Sequence, residues 1–340
     1  MGVTRPIKVG ILTAPHIEFE QRKDTFLLKN VRIGIGFHWD RKEDQEFAGS
    51  LEIRNNPDGT QTAINTIDLE DYLCSVISSE MNANSPRELL KAHAVISRSW
   101  AIRAMQNPNH EGFDVCADDH CQRYEGLKRM NERAIEAVRA TTGQVLMFGD
   151  EICDCRYYKC CGGKTEVWRT CWEDIDVPYI QSVQCDYCKS PSPKILRLVL
   201  NDYDQETKDF RDWKVTYSDK ELSDIIRAKS GIDFGEITDI IPLKRGASGR
   251  IYELKIAGTK HTEIISKELK IRLWLSRTCL YSSWFDITHA KGVWTLTGHG
   301  WGHGAGLCQI GAAVMASGGK TYEEILSYYY AGSRLSTSAR

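Results

Sequence analysis

No apolar run in this sequence approaches the roughly 20 residues that a membrane-spanning helix needs, which excludes a helical span within it. Charge of one sign is also missing. Lys and Arg number 44 against 46 Asp and Glu, a formal net charge of −2, which argues against a broad nucleic-acid or anionic-membrane footprint. The opening residues, MGVTRPIKVGIL, lack the charged-then-apolar order of a secretory leader, so a cytosolic protein and a chain without its leader are both open. A glycine-rich run from Gly298 leads into a helix pattern, yet no Lys-Ser/Thr follows it, and a P-loop is excluded.

What is present is cysteine. Twelve occur in 340 residues; seven lie between Cys153 and Cys188, and Cys116 and Cys121 sit just upstream. Such clustering points to metal, disulfides or both rather than to scattered core thiols. At 41% hydrophobic, a chain of this length buries a full core and suits two domains or one large one. The element pattern predicts an α+β fold, mixed and two-lobed around a central cleft. Helices from 68–105 and 308–330 are expected to pack against β-rich regions. The expected divisions are a β-rich region over 1–66, a core with Cys/His-rich loops over 67–194, a mixed second lobe over 195–290, and a glycine-rich motif with terminal helices over 291–335.

Residues 8–12, 31–35 and 51–53 read as strands, with Asn-Pro-Asp-Gly at 56–59 as a hairpin turn. The stretch from Asp68 to Met105 reads as a short helix, an exposed acidic turn at Ser79-Glu80-Met81, and a long second helix. Ser85-Pro86-Arg87-Glu88 has the form of a helix start, with Ser as cap, Pro at the first position and Glu three after the cap. Lys91 and Arg98, seven apart, project from nearly one side of that helix. A carboxylate beside two such cations suggests a site for an anionic or polyhydroxylated ligand.

Downstream, His110, Cys116, His120 and Cys121 place four soft or borderline ligands within twelve residues, enough for one tetrahedral Zn2+. Spacing alone leaves a Cys116–Cys121 disulfide with two solvated histidines equally open. Asn131-Glu132 opens a third helix closed by Gly143, followed by a hairpin turning at Gly149-Asp150. Cys160 or Cys161 could pair with Cys171, and Cys185-x2-Cys188 could be a second clip or half a zinc site. Residues 213–217 read as a strand, Ser218 to Glu221 as a helix cap, and 237–243 and 251–256 as strands joined by a Gly/Ser turn. In the last motif, Gly298 to Gly311, the embedded Trp301 and His303 suit an aromatic platform and a hydrogen bonder at a sugar site. The plain alternative is a tight crossing of backbones. Thr321 and Glu324 open the final helix.

Three wordings carry a resemblance. Leu69-Glu70-Asp71-Tyr72-Leu73, Ser79-Glu80-Met81 and Lys91-Ala92-His93-Ala94 through Arg98 form the first. The second runs from Tyr158 through Gly162-Gly163 to Thr165-Glu166. The third is Gly298-His299-Gly300-Trp301-Gly302-His303-Gly304, continuing to Gln309 and Gly311. Together they resemble the stage II sporulation protein D family and its amidase-enhancer relatives, over about residues 5 to 335. His93 stands where that family usually has Gln, and Lys159-Cys160 where it has His-Ser.

The resemblance implies a lytic transglycosylase that acts on peptidoglycan glycan strands with Glu80 as its single acid. It also implies substrate contacts from Lys91, Arg98, Tyr158, Lys159, Gly162, Gly163, Trp301, His303 and Gln309. It favours a structural Zn2+ on His110, Cys116, His120 and Cys121, and a location in the cell envelope. A cation touching Glu80 would weaken it as an acid, so Lys91 and Arg98 are expected to face the substrate. Two alternatives stand beside this reading. One is a glycan-binding activator of a cell-wall amidase. The other is a hydrolase that draws a second carboxylate from Asp114, Asp118 or Asp119.

Overall fold

The computed structural model describes residues 5–35, 40–82, 84–118, 120–189, 191–200 and 210–337. Helices and small sheets are interspersed along the chain, so the fold is α+β. Among the described residues the helices are α1 (Leu69–Glu80), α2 (Arg87–Gln106), α3 (Glu132–Ala140), α4 (Trp168–Cys171), α5 (Pro193–Val199), α6 (Asp219–Ser230), α7 (Glu268–Trp274), α8 (Gln309–Ser317) and α9 (Tyr322–Tyr329). None is long and apolar enough to cross a membrane.

The apolar side chains gather into two cores. The first joins the N-terminal sheets, α1–α3 and the C-terminal helices α8 and α9. The second lies between Trp213 and Leu296 and is built from two three-stranded sheets with α6 and α7. Val199, Leu200 and Phe210 belong to the first core, and Trp213 to the second.

Helix α2 is the axis of the first core. Every residue from Ala92 to Ile102 is buried, so the helix is enclosed all round rather than on one face. It packs on α1, α3, α8, α9 and the strand Gln144–Phe148. Each aliphatic side chain enclosed there contributes on the order of 1.5–3 kcal/mol. The buried polar groups of α2 need partners, and these decide the neighbourhood of the site.

Two local expectations are corrected. Ser79 and Glu80 are the last helical residues of α1, not an exposed turn; the Ser79 hydroxyl donates to the Ser75 carbonyl, and Met81 follows as a buried C-cap. Ser85 does not cap α2. Pro86 takes the cap position, and the Ser85 hydroxyl instead donates to the Leu198 carbonyl, so a tertiary partner displaced the local one. Three helix starts act as read: Asn131 caps α3, and capping boxes at Ser218/Glu221 and Thr321/Glu324 open α6 and α9. Asp68 caps α1, and the C-cap of α3 is Thr141, two residues before Gly143.

Two sheet features set the frame around α2. The strand Pro6–Ala14 pairs with Gln61–Asp68 on one side and, in parallel, with Val115–Cys116 on the other, which anchors the Cys/His loop on the N-terminal sheet. The strand Val293–His299 lies in the second lobe, and the chain then returns beside its outgoing crossing, with the Gly300 N–H donating to the Arg211 carbonyl.

Candidate functional site

Glu80 ends α1 half-buried, and its Oε1 accepts from the Arg123 N–H at 3.1 Å and the Tyr157 hydroxyl at 3.2 Å. The negative end of the helix dipole disfavours charge on this carboxyl, while the two donors favour it. Burial and the Glu80 charge push the Tyr157 phenol well above its ordinary value, so it remains a donor. The Tyr157 ring lies edge-on to His93 of α2, with ring centres 4.3 Å apart.

His93 is fully buried; its Nε2 is 3.0 Å from Gln309 Nε2 and its Nδ1 is 3.2 Å from Ser97 Oγ. The amide of Gln309 donates to Nε2, which leaves the Nδ1 proton for Ser97 and makes the ring neutral. Burial, with Lys159 adding to it, lowers the His93 pKa to about 3. A connected row thus runs from Glu80 through Tyr157 and His93 to Gln309. Gln122 braces it, accepting from the Tyr72 hydroxyl and donating to the Ser97 carbonyl. Sequence reasoning missed Tyr157, Gln122 and Arg123. It chose Tyr158, but successive strand residues point to opposite faces, and Tyr157 is the one on the acid.

The two cations do not face this row. Lys91 precedes His93 by two positions and Arg98 follows it by five, which rotates both well away from it on the helix. They share a side, as expected, but that side is internal. The Arg98 guanidinium is 1% exposed, holds Glu70 through two bonds of 2.7 and 2.6 Å, and donates to the Gln144 carbonyl. Lys91 bonds Glu88 at 2.7 Å, and Glu88 accepts from the Tyr322 N–H at the start of α9. Arg98 therefore ties α2 to α1, while Lys91 holds Glu88 within α2 and lies over the Tyr322 ring of α9. Lys159, half-buried, is the cation that lies by His93.

The glycine run is a crossing of backbones. Gly162 and Gly300 both have positive φ, and a Cβ on Gly162 would sit 2.9 Å from the Gly300 nitrogen. Trp301 is buried, exchanges backbone hydrogen bonds with Cys160, and packs on Phe210 and Tyr281, so it is not an open platform. His303 is half-buried, donates from Nε2 to the Tyr157 carbonyl and accepts at Nδ1 from the Ala305 N–H. Desolvation and nearby Arg156 lower its pKa to about 3. It holds the Tyr157 backbone instead of reaching outward. Tyr158 and Gln309 are buried as well, whereas Gly163 is partly exposed, with open space where a Cβ would be. A cavity of about 660 Å³ lies on the second lobe, lined by Lys229, Lys267, Lys270 and Trp274 among others, away from the Glu80 row.

The ligand atoms of His110, Cys116, His120 and Cys121 all lie within 4.8 Å of one another. His110 Nε2 is 3.2 Å and His120 Nδ1 3.7 Å from Cys121 Sγ. Hydrogen bonds from Cys121 and His120 lower the Cys116 thiol below its ordinary value, a poise that suits a metal ligand. The donor set of two thiols and two imidazoles fits tetrahedral Zn2+. Two residues beyond Cys121 stands the Arg123 N–H that bonds Glu80, so this loop also places a donor on the acid.

All twelve cysteines are free. The pairing left open for Cys160 or Cys161 with Cys171 is not formed: the Cys171 thiol faces the His303 carbonyl, and Cys161 lies 3.0 Å from Cys188. Of the carboxylates considered for hydrolysis, Asp114 accepts from the Lys8 N–H at 2.8 Å, and Asp119 lies outside the described residues.

Comparison with known proteins finds two matching profiles, whose boundary does not follow that of the two cores. A profile described as Stage II sporulation protein matches residues 57–148, which hold Glu80, α2 and the Cys/His loop. A domain of unknown function, DUF8618, matches residues 166–306, which hold the second lobe and most of the glycine run. An uncharacterized protein of Brachyspira hyodysenteriae is 30% identical over 84% of this chain and 71% of its own length. The Stage II sporulation protein D of Bacillus subtilis is 26% identical over 81% of this chain and 76% of its own length. The Amidase enhancer of Bacillus subtilis is 26% identical over 78% of this chain, which spans 40% of that longer protein. With likeness over most of its length and the family motifs packed around one carboxyl, the chain belongs to the stage II sporulation protein D and amidase-enhancer family.

Proposed function

We propose that the protein is a cell-envelope lytic transglycosylase that cleaves the MurNAc-β-1,4-GlcNAc bond of peptidoglycan strands. The observation that carries this reading is the half-buried carboxyl of Glu80, oriented by two donors on one oxygen. Protonated Glu80 gives its proton to the glycosidic oxygen as the C1–O bond breaks. The muramyl C6 hydroxyl then attacks C1 and returns its proton to Glu80, closing a 1,6-anhydro ring. No water enters and one carboxyl suffices, whereas hydrolysis needs a second. Lys159 is our candidate for the substrate's lactyl carboxylate, in place of Arg98. His110, Cys116, His120 and Cys121 would hold Zn2+ with four protein ligands, which would leave it a structural role: fixing the loop that aims the Arg123 N–H at Glu80.

A second reading has its own support. The packed state of Trp301 and Gln309 removes much of the expected sugar platform, and one relative is named an amidase enhancer. In that case the chain binds glycan strands and stimulates a cell-wall amidase without cutting them.

Mass spectrometry of peptide-stripped strands incubated with the wild type and with Glu80→Gln tests both. Anhydro-ended fragments from the wild type, reduced about 10²- to 10⁴-fold in the variant, are expected. Reducing-end fragments would sink the transglycosylase reading. Uncut strands bound equally by both proteins would leave the enhancer.

A further inference from the structure

We propose that Cys161, Cys185, Cys188 and Cys308 form a second metal centre, a buried tetrathiolate site for one Zn2+. The four thiols come from three distant segments, are buried, and hold their Sγ atoms within 4.8 Å of one another. Zn–S bonds of about 2.3 Å in a tetrahedron put sulfurs about 3.8 Å apart, so this spacing suits one ion. A polynuclear iron–sulfur cluster, with several irons and sulfides between its cysteines, needs a wider cage.

The surroundings treat these sulfurs as anions. Cys308 Sγ accepts from the Cys161 N–H and the Gly311 N–H, both at 3.3 Å, and Cys161 Sγ accepts from the Gly163 N–H at 3.4 Å. The Tyr329 hydroxyl lies 3.3 Å from Cys185 Sγ. Backbone donors aimed at sulfur are the outer layer that steadies metal-bound thiolates. A tetrathiolate zinc centre has a charge of −2, and the fully buried Arg250 guanidinium, donating to the Cys161 carbonyl at 3.3 Å, supplies a cation beside it. Paired disulfides explain the grouping less well, because each of the four sulfurs faces at least three others instead of one, with Cys160 packed against Cys188 and Cys308 from outside the set. Cys185-x2-Cys188, spanning a single 3-10 turn, gives the short loop that such sites use.

Binding converts four thiols to thiolates and releases four protons to solvent, with no redox change. The site would clamp the crossing between the lobes. Cys161 adjoins the Gly162–Gly300 contact, and Cys308 caps α8, whose first residue Gln309 holds His93. The inference does not depend on which reaction Glu80 performs.

Elemental analysis and native mass spectrometry of the full chain, purified from zinc-supplemented cells, provide the test. Two zinc ions per chain are expected for the wild type and one for Cys116→Ser, which disables only the first cluster. Cobalt(II) loaded into Cys116→Ser should show the intense thiolate-to-metal absorption of four sulfur ligands, and adding Cys308→Ser to that variant should abolish it. Cys116→Ser leaves the second cluster untouched, so its result stands even if Cys308→Ser fails to fold. A metal-free Cys116→Ser, or intact peptides joined by disulfides between Cys161, Cys185, Cys188 and Cys308, would overturn the proposal.

Discussion

Glu80 and the run from Gly298 to Gly311 were both expected to meet sugar, and the structure uses them differently. Glu80 keeps partial exposure at a helix end, with two donors on one oxygen. The glycine run is spent on packing: its backbones cross, Trp301 is buried and His303 holds Tyr157. A dense motif can therefore belong to a site by building its floor. A residue proposed to do chemistry has to keep an opening, whereas the residues that hold it can be closed off completely.

That contrast can be broken by measurement. Trp301→Ala should lower unfolding free energy by about 3–5 kcal/mol in denaturant titrations, the usual cost of emptying a large aromatic site. Glu80→Gln, which keeps an acceptor oxygen, should change it by less than about 1 kcal/mol. The comparison fails if Trp301→Ala is as stable as the wild type yet loses glycan binding. Glu70→Gln removes the carboxylate from a buried guanidinium, and a loss of about 3 kcal/mol is expected in the same titration, with Glu70 30% exposed. A wild-type-like stability there would mean that Arg98 is not held by this pair.

Acid gives a finer test. The folded His93 pKa is about 3 against an ordinary 6.5, so below pH 6.5 the unfolded chain takes up a proton that the native ring refuses. Stability from this group thus falls as pH drops from 6.5 towards 3, by about 2 kcal/mol at pH 5. His93→Gln should remove that part of the slope when its pH 7 and pH 5 denaturation midpoints are compared with those of the wild type. An unchanged slope would place the proton elsewhere. The smallest effect is expected for Lys91→Ala, under about 1 kcal/mol and without loss of cleavage, since a partly exposed pair with Glu88 contributes little. A large loss of cleavage with unchanged stability would return Lys91 to the substrate.

Short-range signals were legible in the sequence. The Asn56–Gly59 turn, the Ser218/Glu221 and Thr321/Glu324 capping boxes and the gathering of His110, Cys116, His120 and Cys121 all lie within a dozen residues, where few chain conformations compete. Glu80 was named from its motif. Its partners were not, because Arg123 and Tyr157 arrive from 43 and 77 residues away. Arg98 was misjudged for a related reason. An arginine on a helix reads as a ligand-facing cation until Glu70, 28 residues earlier, is seen to neutralise it inside the core.

The sequence by itself determined most element types, the capping boxes of α6 and α9 and the first Cys/His cluster, since these depend on neighbours along the chain. Only the tertiary structure decided which side of α2 faces Glu80, that the glycine run closes on itself, and that Cys308 joins Cys161, Cys185 and Cys188. The physical reason is that burial and charge neutralisation depend on segments that meet only when the two cores have formed, and no local spacing records those meetings.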